Sequence, residues 1–159
     1  MEFITAEQFL KQDKEVQNVF IDWWEPSMGD LYAWNYSDES ENDLHKLQAC
    51  TSELVIELTN DNKGINEGNR IPILTEGQLR KFIEDKSSDF DSESEAVIEI
   101  EFYTKEDLED KVTQKEIGYL IKILDKSDGL LIDCCCDLGT DLLQAYWKVA
   151  VQIAKNIDN

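Results

Sequence analysis

The segment Glu95 to Tyr103, EAVIEIEFY, alternates with a period of two. Ala96, Ile98, Ile100 and Phe102 fall on one side, and Glu95, Val97, Glu99, Glu101 and Tyr103 on the other. That period predicts a strand whose first set is buried and whose second set faces outward. Ile117 to Leu124 and Leu130 to Cys136 read as two more strands, with KSDG between them as a hairpin loop. Their near-continuous apolar character predicts the middle of a sheet covered on both faces. Nearer the N-terminus, Asp30 to Asn35 and Ser52 to Thr59 also read as strands, which brings the expected sheet to about five.

Between and around these runs the period changes to that of a helix. Thr5-Ala6-Glu7-Gln8 is a capping box opening an N-terminal helix. Val16, Val19, Phe20, Trp23 and Trp24 continue it as one apolar stripe, which Pro26 and Gly29 end. Thr75-Glu76-Gly77-Gln78 is a second capping box, opening a middle helix with Leu79, Phe82 and Ile83 inward. In the C-terminal helix Leu143, Tyr146, Trp147, Ala150, Ile153 and Ala154 oppose Gln144, Lys148 and Gln152. The order predicts an α+β fold: a mixed or antiparallel sheet of about five strands, packed by N-terminal, middle and C-terminal helices. A chain of 159 residues suits a single domain over 1–159, with acidic loops near 37–46 and 86–95.

Charge changes the picture more than composition does. The net charge is −20, from 35 acids and 15 bases, and it is unevenly spread. Residues 84–110 hold 12 acids and two bases, and residues 1–50 hold 11 acids and three bases. From Asp22 to Asp43 there are seven acids and no Lys or Arg. Direct nucleic-acid binding is disfavoured, since phosphate contacts need a cationic footprint. A basic protein surface is the partner such a charge favours, through steering that weakens as salt rises.

Motifs for catalysis and for metal binding are absent or incomplete. No G-x-x-x-x-G-K-[ST], G-x-G-x-x-G or G-x-S-x-G occurs, and His45 is the only histidine. Glu84-Asp85-Lys86 and Glu109-Asp110-Lys111 match the E-x-K tail of a metal-dependent nuclease pattern, which would have to lie on a strand. Glu84 instead falls at the end of a predicted helix. Cys134, Cys135 and Cys136 are adjacent and Cys50 stands alone, unlike the separated pairs of a zinc site. The expectation is a non-enzymatic protein with no metal and no cofactor. No apolar run reaches the roughly 20 residues of a membrane span. The start MEFITAEQFL lacks the basic and apolar regions of a signal peptide.

Three stretches, FLKQDKEVQNVFIDWWEPSMGDL, IPILTEGQLRKFIEDK and DLLQAYWKVAVQIAK, together resemble a group of small, mostly uncharacterised proteins of phages and prophages of Firmicutes. The WW-x-P-x-x-GDL block is the most distinctive part. The resemblance implies a phage origin and, with it, an anti-CRISPR or other anti-defence role; with no span or signal peptide in the sequence, the expected location is the cytoplasm of the bacterial host. The resemblance implies no catalytic residues.

Glu99 and Glu101 lie i and i+2 on one strand face, about 6.6–6.8 Å apart by strand rise, and Glu95 extends the line. Such a row is similar to the phosphates along one nucleic-acid strand. With Asp89, Asp91 and Glu93 in the preceding loop, and Trp34 and Tyr36 as aromatic anchors beside the other acidic run, these residues form the candidate partner-binding set. The expected function is a DNA-charge mimic occupying the basic channel of a host nuclease such as a CRISPR effector. The rival expectation is a phage accessory protein that sequesters a small molecule or acts as a structural or regulatory module.

Overall fold

A computed structural model describes residues 2–34, 47–53, 55, 70–88, 95–105 and 116–157. The chain forms two compact units, one built on residues 3–74 and the other on 75–157. The fold is α+β, with four helices and six strands among the described residues.

In the 3–74 unit the capping box at Thr5 forms as the sequence predicts. The Gln8 N–H donates to Thr5 Oγ1 at 3.2 Å, and the Thr5 N–H donates to Gln8 Oε1 at 3.1 Å. The helix it opens is short, α1 at Ala6–Leu10, and a second helix, α2 at Lys14–Trp23, follows a break. The expected single helix is therefore two. Gln17 holds the junction: its side chain is 4% exposed, and Nε2 donates to Gln12 O at 2.7 Å and to Leu10 O at 3.3 Å. Those carbonyls have lost helical partners at the end of α1, so the amide meets an otherwise unmet demand. Gln17→Leu leaves both carbonyls short of a donor, and is expected to lower stability by about 1–3 kcal/mol in urea denaturation.

Strand β1 (Leu31–Trp34) lies between β2 (Leu47–Ala49) and β3 (Arg70–Ile73), antiparallel to both. Leu31 stands opposite Ala49 on one side and Ile73 on the other, and Trp34 stands opposite Arg70. Pro72 is tolerated because β3, among the described residues, pairs only with β1 and is an edge strand of this sheet. Phe9, Phe20, Val16, Ile71, Ile73 and Leu74 are buried in this unit, with the Phe9 and Phe20 ring centroids 6.1 Å apart. Of the expected strand at Ser52 to Thr59, Ser52, Glu53 and Val55 are helical, and the Val55 N–H donates to Thr51 O at 2.9 Å. The remainder lies outside the described residues.

In the 75–157 unit, α3 (Glu76–Ser88) opens on the second capping box, and α4 (Leu142–Ile157) closes the chain. Between them β4 (Ala96–Tyr103), β5 (Gly118–Asp125) and β6 (Leu131–Cys135) form an antiparallel sheet in that order. Ile98 pairs with Ile123 and Ile121 with Cys135, one apolar face that α3 and α4 cover through β4 and β5. Leu79, Phe82, Ile83, Ile121 and Tyr146 are at most 1% exposed.

The single sheet of about five strands is thus replaced by two three-stranded sheets. Periodicity reports that a segment is a strand, not which strand it pairs with, and the three-residue β2 is too short to show a period. Two burial expectations also change. β5 is central, but among the described residues β6 pairs only with β5 and is an edge strand, with Leu131 57% and Ile132 41% exposed. Phe102, expected on the buried side of β4, is 46% exposed and packs its ring against Tyr119 at 4.8 Å. Residues 86–88, expected in a loop, form the last turn of α3. There the Ser88 hydroxyl donates to Glu84 O and accepts from the Ala96 N–H, both at 2.8 Å. Among the described residues, no helix is long and apolar enough to cross a membrane.

Candidate functional site

Strand β4 carries its glutamates where alternation predicts, but not as a bare row. Glu99 stands opposite Lys122 in the β4–β5 register, so the lysine projects on the same sheet face as Glu99 and Glu101. Its Nζ donates to Glu101 Oε1 and lies 3.8 Å from Glu99 Oε2. The second Glu101 oxygen accepts from the Tyr103 hydroxyl. Glu95, just before the strand, is paired with Lys126 in the β5–β6 turn, and the Lys126 backbone N–H donates to Glu95 O at 2.8 Å.

Electrostatics follow from these pairs. The hydrogen bond from Lys126, and then its charge, hold the Glu95 carboxyl below the ordinary carboxylate range. Glu101, through its hydrogen bond first, raises the Lys122 ammonium above its ordinary value, and Glu95 does the same for Lys126. Part of the field of these anions is therefore cancelled locally by Lys122 and Lys126. Glu99 is the most openly presented member of the Lys122 group, its side chain 54% exposed against 32% for Glu101. Surface pairs of this kind contribute little to stability.

Trp34 sits on β1 in the other unit, half-buried. Its indole N–H donates to Gln48 Oε1 at 3.1 Å, and the same oxygen accepts from the Tyr32 hydroxyl at 2.6 Å. The Arg70 guanidinium lies 4.8 Å from the Trp34 ring centroid, a cation–π contact. One ring face is therefore engaged within its own sheet. Tyr36, Asp89, Asp91 and Glu93 lie outside the described residues.

The first E-x-K, Glu84 to Lys86, is on helix α3 rather than a strand, and the second lies outside the described residues. Among the described residues, no group of three or more His, Cys, Asp or Glu is placed to hold a metal ion. All four cysteines are free thiols. Burial, then the Asp30 charge, pushes the Cys50 thiol up to about 11, and burial pushes Cys135 up to about 12. Both stay protonated at neutral pH and closed to reagents, whereas Cys136 is exposed. Iodoacetamide added to the native protein at neutral pH is expected to label Cys136 first, and Cys50 and Cys135 only after unfolding, as read by peptide mass spectrometry.

What the sequence did not reveal is the lysine partnership. Its signal was Lys122 alone among apolar neighbours in IGYLIKIL, a charge that a covered strand has to place on its outer face. Compared with known proteins, the chain matches no family model, no curated protein and no solved structure.

Proposed function

We propose that the chain is an acidic, phage-encoded inhibitor that docks on the basic nucleic-acid channel of a host nuclease, such as a CRISPR effector, and excludes its substrate. The observation that supports this reading is a strand that positions anions in a chain of net charge −20. Ala96 and Ile98 are buried in the core of the sheet, and the opposite face of the same backbone carries Glu99 and Glu101. A strand anchored in this way keeps its carboxylates at a set spacing, as a mimic of phosphates requires.

The long-range field steers the encounter, and the short-range step is an exchange of partners. Arg or Lys side chains of the channel displace Lys122 and Lys126 from Glu99, Glu101 and Glu95. Arginine is the better competitor, because its planar fork binds a carboxylate through two parallel hydrogen bonds. The inhibitor performs no chemistry and needs no cofactor in this role.

The test is DNA cleavage by a purified, guide-loaded CRISPR nuclease, with the protein added before or after the DNA. Inhibition is expected when the protein is added first, and is expected to fade with rising salt or excess competitor duplex. Inhibition unaffected by competitor DNA would place the binding surface away from the nucleic-acid channel and contradict the proposal.

A further inference from the structure

The two edges of the β4–β5–β6 sheet are unlike. β4 is guarded by its charged side chains, the usual means by which an edge avoids pairing with another chain. β6, LIDCC, has no Lys, Arg or Pro, and among the described residues it pairs only with β5. Leu130, Leu131 and Ile132 beside this edge are 66%, 57% and 41% exposed. A register shift between Ile123 and Leu124 breaks the alternation of β6 at Ile132. Asp133 pairs with Ile123 and Leu131 with Leu124, so Ile132 is an extra residue and strict alternation fails there.

We propose that the β6 edge receives an extended segment of a partner protein as a fourth strand, a segment in which apolar residues alternate with Lys or Arg. The apolar positions would cover Leu131 and Ile132, and main-chain hydrogen bonds would supply the pairing. Charge identifies the basic positions. Asp133 is exposed at the centre of β6, and Asp128 in the preceding turn accepts from the Leu130 N–H at 2.9 Å beside the start of that strand. The Asp133 carboxylate accepts from the Cys134 backbone N–H at 2.7 Å, so it covers an amide of the edge strand. A Lys or Arg on an arriving strand draws that carboxylate away and frees the amide for the newcomer's carbonyl.

A second copy of the chain fits less well. Antiparallel pairing about a two-fold axis at the centre of β6 sets Asp133 directly opposite its counterpart, and like charges so placed are destabilising. The net charge of −20 on each chain adds to the repulsion. This surface is separate from the β4 glutamates, and the inference does not depend on the partner being a nuclease.

The test uses the full chain and a fluorescent peptide of alternating valine and lysine, with a control peptide N-methylated at alternate residues. The control keeps charge and composition but blocks strand pairing. Binding by fluorescence anisotropy is expected to weaken at least tenfold for the methylated peptide. Leu131→Lys, at an exposed position that leaves the core intact, is expected to weaken it similarly, while Glu95→Lys with Glu99→Lys is expected to retain strand binding. Equal binding of the two peptides, or indifference to Leu131→Lys, would reduce the interaction to general electrostatics and overturn the proposal. A dimer in light scattering that Leu131→Lys dissolves would overturn it in favour of a second copy.

Discussion

Gly118→Ala is expected to destabilise the 75–157 unit by roughly 3–5 kcal/mol, from backbone strain and overpacking together. Gly118 opens β5 with φ +144, a conformation that side chains with a Cβ rarely adopt. A Cβ at this position would lie 2.3 Å from the Gly139 carbonyl oxygen, which is backbone and has no rotamer to move. That carbonyl is itself fixed, accepting from the Tyr119 N–H at 2.8 Å, and the Leu138 N–H returns a bond to Tyr119 O at 3.2 Å. The contact ties the segment after β6 to the start of the central strand, so relief in one place distorts the other. Gly77 is the natural control. It lies in the first turn of α3, where an added methyl would meet nothing within 4 Å. Gly77→Ala is expected to raise stability by about 0.4–1 kcal/mol, chiefly by restricting the unfolded chain. Urea-denaturation midpoints of the two variants should move in opposite directions.

The second large effect concerns binding. Glu95→Lys combined with Glu99→Lys is expected to weaken binding to a basic channel by roughly 100-fold or more, since attraction becomes like-charge repulsion at the centre of the contact. These two positions suit reversal because their side chains are 73% and 54% exposed. Each new lysine would stand near Lys126 or Lys122, a small cost at positions this exposed, whereas at Glu101 the less exposed side chain would also lose the Tyr103 hydroxyl, so instability would obscure the result. The converse variant, Lys122→Gln, removes a competing cation beside Glu99 and Glu101. It is expected to tighten binding and to steepen its salt dependence. A structural role for these residues alone would move the unfolding midpoint in both variants and binding in neither.

Those expectations depend on cross-strand neighbours, the level at which sequence was least informative. Capping boxes at Thr5 and Thr75 were legible because every participant lies within four residues. The inward faces of α3, α4 and the first half of β4 were legible because period follows from backbone geometry. The α1–α2 break was not, since Gln17 reads as an ordinary polar position until its amide meets the carbonyls of Leu10 and Gln12. Nor was the division into two sheets, because nothing local to Leu31–Trp34 says that it pairs with Leu47–Ala49 and Arg70–Ile73.

The glutamate row shows the same limit at the site. The strand and its shared glutamate face were legible, but charge belongs to a surface, and the surface includes β5. Lys122 is 21 residues from Glu101 and Lys126 is 31 from Glu95, so only the register brings them together. The exposed edge of β6 was likewise concealed by its composition. LLIDCCC reads as a buried strand, and only the strand order shows that it has one neighbour among the described residues.

In the proposed function, the carboxylates of Glu95, Glu99 and Glu101 bind where nucleic acid would bind. The most direct measurement of this claim is the affinity of the wild-type chain and of the Glu95→Lys, Glu99→Lys variant for one guide-loaded CRISPR nuclease, across a salt series and with competitor duplex DNA. Wild-type binding is expected to fall steeply with salt and to be displaced by duplex. In the variant it is expected to be lost while the unfolding midpoint falls only slightly, by the small cost of exposed like-charge pairs. Equal affinity of the two chains would contradict the claim.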